Sequence, residues 1–592
     1  MDAQQPTSMT TTPEGEPQAP VGQVDPAPVE APQSVSPDAP AVPLSPARRP
    51  FLHALNLLFL LLLGLAVLLP GISSLPLTDR DEALYVQASK QMIETGNWID
   101  IRFQEEPRYK KPVGIYWLQG LSALATGQGA DAPLWAYRVP SIVGALLVVL
   151  FTYGLGAQFG GARLGLIAGL FAATALSLNI EARIAKTDAM LAATILAAQF
   201  ALASAYLDPQ RRRLFWRNAL FWTAMGLGAL IKGPITPLVS GLTILTLSLI
   251  ERRRSLWLSL SPLKGIGWML LLVLPWLLAI GWISGGAFFS ESLGKDMMGK
   301  VAGAQESHGA PPGTYLLASL GLFWPLIAFA PIGLGHAWRH RAEPLTRFAA
   351  AWVIPVWLLF EAVPTKLPNY ILPLMPAVAL IVATGLIRTD FATLGRLQRW
   401  LFAYIPIVAV LLGLGLNGGF VYVQGRADLI GLGLGVAAGA AGVGCWWLLS
   451  RGRLVPALGV LALTTALIYG LAFERLLPAA TELWLSDDLA AALAEVKPCP
   501  APEVIVVGYR EPSVVFRLGT RVQLPDAIGG ANAFTGAACA VAFVNVDRST
   551  DFLAALAAAS PGAAAPVPVR LVEARNLNAF KFRSMQVFVK GG

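Results

Sequence analysis

Residues 77–117 read LTDRDEALYVQASKQMIETGNWIDIRFQEEPRYKKPVGIYW, the longest polar interval before the C-terminal region. They follow an apolar run long enough to cross a bilayer. Asp79, Asp81 and Glu82 stand at one end of the interval, and Arg108, Lys110 and Lys111 at the other. Local chemistry predicts a helix here: Asp79 at the N-cap, Glu82 three residues on, and Gly96 where a C-terminal glycine belongs. Leu84, Tyr85, Ala88 and Met92 share one face at helical spacing, which predicts a helix lying on the membrane surface. Pro112 opens a second helix, and the run 113–126 is too short to span, so it reads as interfacial or re-entrant.

Working outward, 55% of the 592 residues are hydrophobic and 14% charged, with a mean hydropathy of +0.58. That balance excludes an ordinary soluble domain and predicts a polytopic membrane protein. The net charge of +8 is spread through short loops, as attraction to an anionic leaflet requires, and no nucleic-acid motif accompanies it. Residues 1–46 are rich in Pro, Ala, Gln, Glu and Ser and read as a disordered cytoplasmic tail. The first span then acts as an uncleaved signal anchor.

Segments of spanning length begin near Phe51, Leu134, Leu164, Thr187, Leu214, Thr236, Gly265, Thr314, Phe348, Leu367, Leu401, Leu429 and Leu454, about thirteen helices in all. With the N-terminus inside, every proposed cytoplasmic connection carries arginine, for instance Arg163, Arg252, Arg341, Arg396 and Arg451. The opposite face gathers Lys110, Lys111, Lys186, Lys232, Lys295, Lys300 and Lys366. Each alone reads as readily as a headgroup anchor, but their convergence on one face points to anion binding.

From Leu485 the pattern turns to short apolar runs, read as strands at 503–507, 513–516, 540–546 and 585–589, with helices at 487–496 and 551–559 between them. The fold class is therefore an all-α polytopic membrane domain, residues 47–473 with an external loop at 71–133, and a small α/β domain, residues 474–592, facing away from the cytoplasm. Cys499 and Cys539 would lie in an oxidising compartment, and whether they pair is left open.

Several residues carry chemistry or a plain structural role. Asp81 and Glu82 are either functional carboxylates or charges favoured by a helix start. Asp188 opens an apolar span in the series Glu181, Arg183, Lys186, Asp188, where ionisable groups need partners. Lys366 and Tyr370 in PTKLPNYILPLMP are a ligand-facing pair or an interface anchor at a kink. His308 in QESHGAPPGTY reads as a metal ligand or as a solvated loop histidine, and zinc-ligand spacings are absent.

Taken in order, DEALYVQASKQMIETGNWI, YKKPVGIYWL, EARIAKTDAML, GLGALIKGPI, SHGAPPGTY and KLPNYILPLMP resemble the integral-membrane glycosyltransferases of the GT-C fold. The likeness is to the aminoarabinose lipid A transferases, with the protein O-mannosyltransferases as wider relatives, and it covers roughly residues 50–390. The resemblance implies a catalytic aspartate at Asp81 with Glu82 beside it, and an acidic residue at the external end of the fourth span at Asp188. It implies donor-phosphate contacts at Lys111, Tyr370 and Lys300, and Lys366 in the same turn is counted with them as a phosphate contact. A divalent metal is left open, with His308 as its ligand. Lys110 stands where that family usually has glutamate, and Leu84 where it often has arginine.

The implied activity is transfer of a sugar from a polyprenyl-phosphate donor to an envelope acceptor, lipid A, glycan or protein, on the periplasmic face of a bacterial inner membrane. The partners are that donor, a lipid or glycan acceptor and membrane lipids, with no nucleic acid. A flippase or transporter of lipid-linked sugar would also use many spans and membrane charges, but no internal repeat is present and the ionisable residues gather on one face.

Overall fold

Arg48–Leu68 (α1) is helical because leucine, a strong helix former, dominates it, and its 28% burial leaves most of its apolar surface outward. The computed structural model describes residues 48–208, 214–252, 255–299, 309–561, 566–575 and 581–591. The expected 1–46 tail, Lys300 and His308 lie outside these residues. Among the described residues, nine helices are long and apolar enough to cross a membrane, or ten if the bent pair Thr314–Leu322 and Leu326–Arg339 counts as one span.

That compares with thirteen segments expected from hydropathy. Two of the expected segments meet inside Leu134–Thr174 (α4), one stretch of 41 residues that leaves helical geometry at Gly160 and Gly161. Leu214–Lys232 (α7) carries Arg217, Asn218 and Lys232 in its 19 residues, and Ile235–Glu251 (α8) has only 17. The helix Pro262–Ile283 exposes Leu263 and Trp282 at 89% each, an apolar surface that only lipid accommodates. The chain is a multi-pass membrane protein.

The polar interval folds as Asp81–Thr95 (α2), a two-residue hairpin of Arg102–Phe103 (β1) with Glu106–Pro107 (β2), and Gly114–Leu124 (α3). Gly96 caps α2 in the left-handed region at φ 68°, as expected. The other end differs: Arg80 occupies the N-cap position at φ 63° with no side-chain cap, and Asp79 turns away to the C-terminal domain. Nor does α2 lie on the membrane with one face free. Tyr85, Val86, Gln87, Ala88, Ser89, Gln91 and Met92 are all buried, because α3 covers one side and the C-terminal domain the other.

One close approach seats this layer on the spans, and a second joins two spans beneath it. A Cβ at Gly114 would come within 2.8 Å of the Leu230 carbonyl oxygen on α7, and one at Gly144 within 2.7 Å of the Met190 amide on Asp188–Leu207 (α6). Only glycine allows the backbones to meet there. The first brings the end of α7 beneath the polar layer, and the second packs the start of α6 against α4.

The C-terminal region is a four-stranded sheet in the order β3-β4-β6-β5, formed by Glu503–Val507 (β3), Ala540–Asn545 (β4), Arg570–Arg575 (β5) and Phe582–Lys590 (β6). β3 and β4 are parallel and the other pairs antiparallel. Three expected strands are present, whereas 513–516 is helical, within Pro512–Leu518. Pro512 at the first helical position presets φ, and a run of four residues is too short for periodicity to tell helix from strand. Cys499 and Cys539 are disulfide-bonded, tying the lead-in of β3 to that of β4.

Candidate functional site

Asp81 and Glu82 are neighbours in the first turn of α2, and the fold treats them oppositely. Glu82 is buried and its carboxylate is filled: Arg138 Nε donates at 2.8 Å and Nη2 at 3.1 Å, the Ala185 amide at 2.9 Å, and the Thr78 amide and hydroxyl at 2.9 and 2.8 Å. Arg138, on α4, is itself fully buried, and its remaining bonds go to the carbonyls of Ile72, Leu75 and Pro76. Burial alone would raise the Glu82 carboxyl, but the Arg138 charge and these donors outweigh it and hold the group below its usual value. The pair thus fixes the loop after α1, the start of α2 and the 183–187 loop to one another.

Asp81 is exposed, and its charge acts on Arg108, Tyr116 and Lys186. Arg108 follows the hairpin and is 8% exposed, with its guanidinium 5.1 Å over the Tyr85 ring. Its Nε is buried without a hydrogen-bond partner, while its guanidinium interacts with the Tyr116 hydroxyl. A guanidinium in such a position is costly to leave incompletely paired.

Next to these residues lies a chain of alternating charges. Lys186 Nζ is 3.0 Å from Glu181 Oε1 on Leu176–Ala182 (α5) and 3.8 Å from Asp188 Oδ2 at the start of α6. Asp188 Oδ1 accepts from Lys232 Nζ at 2.5 Å and from Asn369 Nδ2 at 2.7 Å. Lys232 sits at the end of α7, 5.4 Å over the Tyr370 ring. Burial pushes the Glu181 carboxyl up to about 7 against the pull of Lys186. Burial would lower the Lys186 ammonium, but Glu181, Asp188 and Asp81 together raise it.

Of the residues singled out from sequence, Asp188 and Tyr370 meet through Lys232, and Asp81 acts on this chain through Lys186. Lys111 pairs with Asp296 at 2.5 Å. Lys366 is buried and donates to the carbonyls of Glu361 at 2.9 Å and Val363 at 2.7 Å, which folds it back on its own turn. Lys110 is exposed. Lys300 and His308 fall outside the described residues.

Arg138 and Asn369 carry no role in the sequence reading. The signal for Arg138 was present, an arginine in an apolar run that is costly there without a partner. Asn369 needed the tertiary fold, since Asp188 lies 181 residues before it.

A family model described as dolichyl-phosphate-mannose-protein mannosyltransferase matches residues 79–287. The undecaprenyl phosphate-alpha-4-amino-4-deoxy-L-arabinose arabinosyl transferase of Aeromonas salmonicida is 29% identical over 364 residues, 60% of this chain and 64% of that protein. The corresponding transferase 1 of Pseudomonas fluorescens is 28% identical over 365 residues, again 60% and 64%. The match thus spans less than two thirds of these relatives' length. The crystal structure of ArnT from Cupriavidus metallidurans bound to undecaprenyl phosphate superposes with a TM-score of 0.72 at 19% identity, covering 92% of this chain and 98% of that one. The chain has the GT-C membrane fold, and its sequence resembles the aminoarabinose-transferase branch of the PMT superfamily.

Proposed function

We propose that this chain is a glycosyltransferase that moves a sugar from a polyprenyl-phosphate donor to an envelope acceptor at the periplasmic face of a bacterial inner membrane. The observation that carries this reading is the meeting of cations from distant parts of the chain: Arg108 and Lys186 feel the exposed Asp81, and Lys186 and Lys232 meet at Asp188. The transferases it resembles and the ArnT complex with undecaprenyl phosphate support the same donor class. A flippase has no such support.

In this reading the prenyl chain lies along the spans and the donor phosphate meets Lys111, Lys232, Tyr370 and Arg108. The acceptor oxygen attacks the anomeric carbon, the carbon–oxygen bond to the lipid phosphate breaks with inversion, and the phosphate leaves with the electron pair. Preorganised cations stabilise the charge growing on that leaving group. With a hydroxyl acceptor, Asp81 takes its proton. With a phosphate acceptor no base is needed, and Asp81 orients the sugar. Glu82, filled by Arg138, positions α2 and touches no substrate. Lys300 keeps its proposed phosphate contact and His308 its proposed metal role. Lys366 supports the turn that carries Asn369 and Tyr370.

The lipids, glycans and proteins of an envelope lacking this chain should each be weighed by mass spectrometry. Loss of one sugar from a single class names the acceptor, and an unchanged envelope removes the proposal. Orientation has a separate test. A cysteine at exposed Glu106 should react with an impermeant thiol reagent in intact spheroplasts, and labelling only after permeabilisation would reverse the topology. Gln104 is unsuitable for this, because its amide donates to the carbonyls of Thr520 and Val522 in the C-terminal domain.

A further inference from the structure

The span Pro368–Arg388 has Tyr370 near one end, and at the other end, about 30 Å away, Leu386 and Ile387 border a cavity of about 480 Å³. Three separate parts of the chain send an arginine to its wall. Arg163 comes from just past the break at Gly160 and Gly161 in α4, Arg399 from the helix Arg396–Leu401, and Arg451 from the turn after the helix Leu429–Ser450. Asp390 is the one acid in that wall among the described residues, so positive charge is in surplus there.

The three arginines are held differently. Arg399 is a fixed part of the wall: Nε donates to the Leu394 carbonyl at 3.1 Å, Nη1 to that of Ser450 at 3.2 Å and Nη2 to that of Phe391 at 3.4 Å. Its bonds tie the 391–399 segment to the end of the helix Leu429–Ser450, and its charge faces the cavity. Arg163 and Arg451 are exposed, and among the described residues neither forms an ion pair. The Arg451 guanidinium lies 4.4 Å over the Trp447 ring, which steadies its plane and leaves its edge to donate. A planar fork of that kind meets a phosphate with paired hydrogen bonds.

Indole rings set the depth of the cavity. Trp400 and Trp446 pack at 5.2 Å between ring centroids, and the Trp446 indole donates to the Arg399 carbonyl at 3.1 Å. Trp400 and Trp447 are both well exposed, as is Leu397 on the same short helix as Arg399. Exposed indoles beside spans mark the headgroup level of a bilayer, so the cavity opens where lipid phosphates lie, with apolar surface next to it for acyl chains. We propose that this cavity binds the headgroup phosphate of an anionic phospholipid, with Arg163 and Arg451 on the phosphate oxygens and Arg399 supplying fixed charge. Basic pockets between spans are suited to such headgroups. Asp390 and the carbonyl ends of Met375–Arg388 and Leu429–Ser450 oppose an anion, but the Ser450 carbonyl is already taken by Arg399 and the arginines outnumber the acid. A soluble phosphate offers the same headgroup chemistry without chains to cover Leu397 and Trp400. The site lies across the membrane from Tyr370, and its existence does not depend on the transferase reading.

Full-length protein, delipidated in detergent, is titrated with dioleoyl-phosphatidylglycerol, dioleoyl-phosphatidylcholine and inorganic phosphate, and bound lipid is counted by native mass spectrometry. The wild type should hold a phosphatidylglycerol that survives an excess of phosphatidylcholine, which has the same chains but no net charge. Arg163→Gln and Arg451→Gln should each weaken that lipid about fivefold, and the double variant more, with thermal midpoints unchanged because both side chains are exposed. Arg453→Gln, exposed in the same turn as Arg451 but outside the cavity wall, should bind as the wild type does. Equal phosphatidylglycerol affinity in the double variant and the wild type overturns the proposal, and so does phosphatidylcholine bound as tightly as phosphatidylglycerol. Inorganic phosphate that displaces phosphatidylglycerol at equal concentration overturns the lipid assignment in favour of a soluble phosphate.

Discussion

Glu82 and Asp81 are adjacent acids on one helical turn, and the regions around them are built on opposite principles. The Glu82–Arg138 pair is buried and dense with hydrogen bonds inside the protein. Around Asp81 the carboxylate is exposed, and the buried Arg108 keeps its Nε without a hydrogen-bond partner. A charge network that closes on itself specifies a structure, while one left open at membrane depth points to a ligand. The chain Glu181–Lys186–Asp188–Lys232 joins the two, since Ala185 hydrogen-bonds Glu82 and Lys186 feels Asp81.

The sharpest way to break this contrast is to exchange the two effects. Glu82→Gln leaves Arg138 buried without its counter-charge and should destabilise the protein by about 3–5 kcal/mol. It should be visible as a lower midpoint of thermal unfolding in detergent. A Glu82→Gln protein as stable as its parent but without transferase activity would move Glu82 into the chemistry.

Asp81→Asn should do the reverse. Its side chain is exposed, so thermal stability should not change, whereas turnover of a polyprenyl-phosphate sugar should fall by roughly a hundredfold or more. Parental turnover in this variant would reduce Asp81 to a surface charge.

Arg108 and Lys111 come next. Arg108→Lys keeps the charge but loses the planar fork over Tyr85, and should weaken donor use by about tenfold at low donor concentration. Lys111→Ala should cut activity further than Lys111→Arg, because the latter keeps its charge beside Asp296. Binding of undecaprenyl phosphate to either variant with parental affinity would separate that residue from the donor phosphate.

The smallest effect lies where the C-terminal domain rests on α2. The Asp79 carboxyl accepts from the Tyr509 hydroxyl at 3.4 Å, and burial pushes it up from 3.8 to about 6, with Glu511 adding to the rise. The folded protein holds this proton in a range where the unfolded chain has released it. Stability therefore falls as pH rises between 3.8 and about 6. Asp79→Asn should remove that part of the slope from a series of thermal melts, and an unchanged slope would assign it to other groups.

The membrane class, the starts of most spanning helices and three of the four strands of the C-terminal sheet were legible in the sequence, because hydropathy and period report which surface an element buries. So was the concentration of lysines in a few loops. The cap at Asp79 was misread because a local signal competed with a distant partner: Tyr509 lies 430 residues away and takes the carboxylate that would otherwise cap α2. The sequence 513–516 failed as a strand for the opposite reason, too few residues for any period to register.

What the sequence by itself determined is that this chain lives in a bilayer and sets acids and lysines beside it, since both follow from transfer free energies summed over local segments. Which acid is filled and which is open was decided by tertiary structure alone. Glu82 meets Arg138 across 56 residues, and Asp188 meets Lys232 across 44 and Asn369 across 181. Pairings at such separations depend on how the helices pack, and Coulomb energy at contact distance inside a low-dielectric interior then makes them decisive.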